Sequence, residues 1–144
     1  MDIRQITPTY FVAPQVDPTD MQAVAAAGIT TVICNRPDAE VPPAFQADAV
    51  EQAARAAGLE FVRLPLTHQT MNPENVGAQM DIAAHAQGAV LAYCASGTRS
   101  TVVWCLGQAR QMAADDILAA ARAGGYDLDN LRPTLVAIAR AKAP

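Results

Sequence analysis

The segment Cys94–Ser100, which reads Cys-Ala-Ser-Gly-Thr-Arg-Ser, places a thiol and a guanidinium close together along the chain. It directly follows the apolar run Ala89–Tyr93, so the pattern predicts a buried strand, a short loop and then a helix. Backbone N–H groups at a helix start attract anions, and a thiol placed there is favoured as the reactive thiolate. We therefore expect Cys94 to be a nucleophile within an anion-binding loop formed by Ala95, Ser96, Gly97, Thr98, Arg99 and Ser100.

The number of residues between the thiol and the guanidinium distinguishes two chemistries. Four residues separate Cys94 from Arg99. Cysteine-dependent phosphatases have one residue more, and their loop encloses a tetrahedral phosphoryl group. Rhodanese-type sulfurtransferases have the shorter C-x-x-G-x-R pattern, around a single persulfide sulfur. Gly97 would allow a turn geometry that other residues avoid. The spacing favours sulfur transfer. The alternative is that Cys94 is an ordinary core residue with no catalytic role.

A phosphatase of this kind also needs an acid to protonate the leaving alkoxide, which contributes roughly 10²–10⁴ in rate. Dual-specificity phosphatases usually carry an aspartate in a loop that follows a strand and a proline. The corresponding segment, Leu64–Asn72, contains no carboxylate, and His68 is its only titratable side chain. His68 is therefore a candidate acid or substrate contact, with a solvent-facing loop histidine as the alternative. Asp38 could approach from a neighbouring loop. Sulfur transfer needs less acid assistance, because sulfite or an acidic thiol leaves readily.

Several other residues have two interpretations. Arg36 and Asp38 could line the rim of the pocket, or they could form an ion pair with each other within a turn. The Ser100 hydroxyl could cap the helix or hydrogen-bond the Cys94 sulfur. Cys34 fits a core position, with a resolving thiol for Cys94 as the alternative. Cys105 fits the core and His85 the surface.

The rest of the sequence predicts the elements that would position the loop. We expect strands over residues 10–13, 30–34, 61–64 and 90–93, with residues 3–6 pairing beside the first. Helices are expected from Asp17-Pro18 to Gly28 and over about 44–57, 72–88, 100–112, 115–123 and 131–142. This alternation predicts one three-layer α/β domain over residues 1–144, with a mostly parallel sheet and helices on both faces. The loops that follow the strands would then converge at one edge of the sheet.

Composition excludes several functional classes. The 144 residues suit a single domain, and a net charge of −4 without a basic cluster argues against nucleic-acid binding. No apolar run approaches the roughly 18–20 residues of a membrane span, so no membrane association is expected. Three cysteines without metal-type spacing predict neither a disulfide framework nor a metal site, and we expect no cofactor. Met1–Gln5 lacks the features of a secretory signal, and free thiols survive in a reducing cytoplasm, so we expect a cytoplasmic protein.

The chain also resembles a known family, the bacterial phosphatase-like domain called DUF442. The resemblance lies in Ala13-Pro14-Gln15, Asn35-Arg36-Pro37-Asp38, Tyr93 to Ser100, and the tail with Ala123–Leu128 and Leu131-Arg132-Pro133. It implies a fold similar to that of dual-specificity tyrosine phosphatases, a catalytic cysteine at Cys94 and an anion-binding arginine at Arg99. The same domain occurs fused to a metallo-β-lactamase-like hydrolase, which is therefore an expected partner.

Three functions follow from these observations. The first is a sulfurtransferase that forms a persulfide on Cys94 from a small anionic or sulfane-sulfur substrate and passes the sulfur to a thiol acceptor. The second is a phosphatase that forms a phosphocysteine on Cys94, with His68 or Asp38 as acid. The third is a non-catalytic anion-binding module. The spacing of the loop and the missing carboxylate favour the first.

Overall fold

A five-stranded sheet organises the computed structural model, which describes residues 1–141. The strand order is β1-β2-β5-β3-β4, and β1 is antiparallel to β2 while the other neighbours are parallel. The strands are β1 (Arg4–Thr7), β2 (Tyr10–Ala13), β3 (Ile29–Cys34), β4 (Glu60–Arg63) and β5 (Ala89–Tyr93). The prediction of a mostly parallel sheet is confirmed, and β5, the strand before the cysteine loop, is its central strand.

Within residues 1–141, six helices connect and cover the strands: α1 (Met21–Ala26), α2 (Ala47–Ala56), α3 (Pro73–His85), α4 (Thr98–Gln108), α5 (Ala114–Ala123) and α6 (Arg132–Arg140). The Asn72 side chain caps α3 by accepting a hydrogen bond from the N–H of Asn75. Helix α4 begins two residues earlier than predicted, so Ser100 lies inside its first turn. The predicted end of the last helix, Lys142, lies outside the described residues.

The side chains of β5 alternate between two hydrophobic cores, as a strand covered on both faces requires. Leu91 and Tyr93 pack with residues of α1 and α2, whereas Val90 and Ala92 pack with the core formed by α4, α5 and α6. All four residues are essentially inaccessible to solvent. The three-layer arrangement with helices on both faces is therefore confirmed. Within the described part of the chain, no helix has both the length and the apolarity needed to cross a membrane.

Neighbouring parallel strands end at the same edge of the sheet. Cys34, the last residue of β3, lies opposite Tyr93 of β5 and also opposite Arg63 of β4. The segments that follow these strands consequently lie next to one another, as parallel topology predicts.

Candidate active site

The cysteine loop is a tight turn between β5 and α4. Cys94 is completely buried at its base, and Gly97 precedes the first residue of α4 with φ +94°. The N–H of Gly97 donates a hydrogen bond to the Cys94 Sγ, at 3.1 Å. A backbone donor aimed at the sulfur stabilises negative charge on it, which is the state a nucleophilic thiol must reach.

Tyr126 holds the outer side of this turn. Its hydroxyl donates to the Ser96 carbonyl at 2.9 Å, and the Arg4 guanidinium lies 5.4 Å from the centre of its ring. A Cβ atom on residue 97 would collide with the Tyr126 hydroxyl. Residue 97 must therefore be glycine for two reasons, because its φ is left-handed and because no space exists for a side chain.

Several loop N–H groups are available to a ligand. The N–H of Thr98 donates to the Ser96 hydroxyl oxygen at 3.3 Å, whereas the N–H groups of Ala95, Ser96, Arg99 and Ser100 find no acceptor within residues 1–141. Unpaired N–H groups at the first turn of a helix are a general anion-binding arrangement. The backbone at this edge of the sheet can therefore bind an anion.

The Arg99 side chain is held by a carboxylate and a carbonyl. Its Nη1 donates to Glu40 Oε2 at 2.8 Å and to the Leu66 carbonyl at 2.9 Å, and its Nη2 donates to Glu40 Oε1 at 2.7 Å. Glu40, and to a smaller extent the nearby Cys94, raise the pKa of Arg99. The Nε–H and the second hydrogen on Nη2 remain, and together they form one edge of the guanidinium that can bind an anion.

Glu40 is the functional candidate that sequence reasoning missed. The hydrogen bond from Arg99 lowers the pKa of its carboxyl, and Arg36 contacts the same residue through Nε to Oε1 at 3.4 Å and Nη2 to the Glu40 carbonyl at 3.2 Å. Of the two interpretations of Arg36, the ion pair with Asp38 is wrong, because Arg36 pairs with Glu40, four residues along the chain. Arg36 also donates to the Gln15 carboxamide oxygen at 3.2 Å, so it does lie at the rim of the loop.

Asp38 and His68 are placed differently from the loop residues. The Asp38 carboxylate accepts a hydrogen bond from the N–H of Ala47 at 2.8 Å and so caps α2. His68 is exposed in a short turn, His68–Thr70, that begins two residues after Leu66, whose carbonyl accepts from Arg99. Asp38 therefore has a structural partner, while His68 lies in the segment next to Arg99 without a hydrogen bond to any described residue.

A buried polar network supports the start of α4 from below. The Ser100 hydroxyl donates to Asn35 Oδ1 at 2.9 Å, so the expectation that it caps the helix or bonds the Cys94 sulfur is wrong. Gln79 of α3 donates to Asn35 Oδ1 and to the Tyr10 hydroxyl, both at 3.0 Å, and accepts from Asn35 Nδ2 at 2.7 Å. The Tyr10 hydroxyl donates in turn to the Ser100 carbonyl at 2.8 Å. These contacts tie two strands, α3 and α4 together beneath the loop.

The remaining cysteines are buried in the core, and His85 lies on the surface. Cys34 is buried, its thiol donates to the Arg36 carbonyl at 3.4 Å, and burial raises its pKa. Burial also raises the pKa of Cys105 to about 12. All three cysteines, including Cys94, are free. His85 is exposed, as expected. Among residues 1–141, no group of three or more His, Cys, Asp or Glu side chains is arranged to hold a metal ion.

Comparison with known proteins shows the family to which the chain belongs. Residues 2–111 match the family described as "Beta-lactamase hydrolase-like protein, phosphatase-like domain". The chain belongs to this family. A beta-lactamase hydrolase-like protein of Xylella fastidiosa is 30% identical over 130 residues, which cover 89% of this chain and 30% of that protein. The chain thus spans less than a third of that relative's length.

Solved structures show the same fold. The provisionally named phosphatase nma1982 of Neisseria meningitidis superposes with a TM-score of 0.86 and 31% identity, covering 96% of this chain and 99% of that one. PTPMT1 superposes with a TM-score of 0.75 and 16% identity, covering 96% of this chain and 94% of that one. The resemblance read from the sequence and the tyrosine-phosphatase-like fold are therefore both confirmed, and they support an enzyme with a cysteine nucleophile.

Gly97→Ala tests the geometry of the loop. We expect it to lower the free energy of unfolding by about 1–3 kcal/mol, because the left-handed φ and the Tyr126 hydroxyl both oppose a Cβ atom, and to slow alkylation of Cys94 by iodoacetamide. Urea unfolding and mass spectrometry of the alkylated protein measure the two effects. Gly77→Ala in α3 is the matched control, because a Cβ there meets open space. Equal behaviour of both variants would contradict the role given to Gly97.

Gln79→Met tests the buried network. Methionine has nearly the same size and helix propensity, so the change removes hydrogen bonds to Asn35 and Tyr10 and little else. We expect the free energy of unfolding to fall by about 1–3 kcal/mol. Urea unfolding measures this fall against Gln52→Met, a change at an exposed position of α2. An unchanged stability of the Gln79 variant would show that the network is dispensable.

Proposed function

We propose that the chain is a sulfurtransferase in which the Cys94 thiolate accepts a sulfane sulfur as a persulfide and passes it to a thiol. The observation that carries this proposal is the pairing of Glu40 with Arg99, at 2.7 and 2.8 Å. Because of this pairing, the Glu40 carboxylate is held in an ion pair with the anion-binding arginine.

This pairing removes the proton donor that a phosphatase of this type would need. Because Arg99 lowers the pKa of Glu40, the carboxyl is ionised at neutral pH and has no proton to give. Asp38 is occupied at the start of α2. A leaving alkoxide requires protonation, whereas sulfite and acidic thiolates leave as stable anions. The available residues therefore favour a substrate whose leaving group needs no acid.

The transfer takes place in two displacements at sulfur. The Cys94 thiolate attacks the outer sulfur of the donor, the sulfur–sulfur bond of the donor breaks, and its electron pair leaves with sulfite or a thiolate. An acceptor thiolate then attacks the outer sulfur of the Cys94 persulfide and regenerates the Cys94 thiolate. The free N–H groups of residues 95, 96, 99 and 100 and the open edge of Arg99 stabilise the anionic outer sulfur.

The acceptor follows from the same chemistry. It is a thiol, either of a small molecule or of a metallo-β-lactamase-like hydrolase, the kind of partner that the family resemblance implies. A reducing cytoplasm would keep Cys94 in the thiol form that the first displacement requires.

Persulfide formation is the direct test. After reaction with thiosulfate or with an organic persulfide, we expect the intact protein to gain the mass of one sulfur atom, and peptide mapping to place that sulfur on Cys94. A thiol added afterwards should remove it. Cys94→Ser should gain nothing, whereas Cys34→Ala and Cys105→Ala should gain the sulfur as the natural chain does. A chain that gains no sulfur from either donor would overturn the proposal.

A phosphatase is the second candidate, favoured by the Neisseria meningitidis structure of 31% identity and its provisional name. It would use His68 as acid, because this side chain is exposed beside the segment that contacts Arg99. We expect the chain to leave alkyl phosphates intact, since the described site holds no free carboxyl acid. Phosphate release from alkyl phosphates measures this. Release that is abolished in Cys94→Ser and falls roughly 10²–10⁴-fold in His68→Ala would establish the phosphatase instead.

A further inference from the structure

Glu40 lies between two guanidinium groups at the rim of the loop, and the transfer chemistry above uses it only as the partner of Arg99. Its side chain accepts hydrogen bonds from Arg99 at 2.7 and 2.8 Å and from Arg36 at 3.4 Å. Arg36 continues to the Gln15 side chain, and the N–H of Gln15 donates to the Ala95 carbonyl at 3.2 Å. A chain of contacts therefore connects Ala95, near the start of the loop, with Arg99 at its end, and Glu40 is the negative side chain within that chain of contacts.

The exposure of these side chains shows that a ligand would feel the carboxylate. The side chains of Arg99 and Arg36 are 16% and 20% exposed, and that of Glu40 is 36% exposed. Glu40 is thus partly open to solvent at the entrance to a loop whose arginine is mostly covered. An anion that reaches the open edge of Arg99 approaches a full negative charge on the neighbouring edge of the same guanidinium, because both edges include Nη2.

The charge of the incoming group decides how strongly Glu40 opposes it. Coulomb energy is linear in the ligand's charge, so a dianion is repelled twice as strongly as a monoanion in the same position. Without Glu40, Arg36 and Arg99 would present two uncompensated positive charges, which is the arrangement suited to a phosphate or sulfate dianion. With Glu40 in place, one positive charge remains, which suits a singly charged ligand.

We propose that Glu40 determines the substrate charge that this site accepts, selecting singly charged sulfane-sulfur donors, such as organic persulfide and hydrogen polysulfide anions, over dianions such as thiosulfate and phosphate esters. This inference rests on the proposed function, since it presupposes that the loop binds the anionic donor. It makes Glu40 a specificity-determining residue that acts through Arg99 and takes no part in bond formation.

The test compares two anions of the same tetrahedral shape and different charge, sulfate and methyl sulfate. Their affinities are measured as protection of Cys94 from iodoacetamide, a neutral reagent, at constant ionic strength. In Glu40→Gln we expect methyl sulfate to bind roughly threefold more tightly and sulfate roughly tenfold, about the square of the first factor. In Glu40→Asp, which keeps the charge, we expect the natural preference for methyl sulfate to persist.

Glu51→Gln is the matched control. The Glu51 carboxylate also bridges two arginines, Arg55 at 2.9 Å and Arg63 at 2.7 Å, but it lies on α2 and contacts no residue of the loop. Its replacement removes the same charge from the chain, and we expect it to leave both affinities unchanged. A gain in sulfate affinity equal to that of Glu40→Gln would show a general effect of net charge and overturn the inference.

The remaining outcomes separate this inference from the proposed function. If anions protect Cys94 in the natural chain but the ratio of their affinities is the same in Glu40→Gln, charge selection by Glu40 is wrong while anion binding stands. If both anions bind more weakly in Glu40→Gln, Glu40 serves only to orient Arg99. If neither anion protects Cys94 in any variant, anion binding by the loop fails, and the inference fails with it.

Discussion

The hydrogen bond from the Gly97 N–H to the Cys94 sulfur is the contact on which the rest of the site depends. It exists only because residue 97 adopts a left-handed backbone and carries no side chain, which lets the chain reverse within three residues of the cysteine. The same reversal starts α4 and leaves the N–H groups of its first turn without intrahelical partners. It also brings the Ser96 carbonyl to the Tyr126 hydroxyl, so a residue from the distant C-terminal tail holds the turn in place.

A second constraint acts beneath the loop, where polar groups are buried between strands and helices. Asn35, Gln79 and Ser100 are fully buried, and each must find partners because an unpaired buried polar group is costly. Their hydrogen bonds satisfy one another and fix the end of β3, the middle of α3 and the first turn of α4 relative to each other. An apolar core would hold these elements together equally well, but it would fix their relative positions less narrowly.

The parts of the site that depend on local sequence could be predicted, and those that depend on folding geometry could not. The apolar run before Cys94, the glycine and the arginine identify the loop, because strand, turn and helix signals are local. Glu40 gave no such signal, since a glutamate after Arg-Pro-Asp is typical of any exposed turn. Only the parallel topology, which places the segments after β3 and β5 side by side, brings Glu40 to Arg99.

Ser100 and Asp38 were both singled out from the sequence, but their hydrogen-bond partners could not be predicted from it. Ser100 looked like a helix cap because helix starts are uncertain by a residue or two, and the two-residue shift of α4 moved its hydroxyl inward to Asn35. Asp38 looked available because its partner, the N–H of Ala47, belongs to a helix that begins three residues later than predicted. In both cases the polar atom was identified correctly and its partner was not. The choice of partner matters most at Arg99. The surrounding sheet is phosphatase-like, but Arg99 is paired with Glu40, and in our proposal this pair determines the charge of the substrate that can approach Cys94.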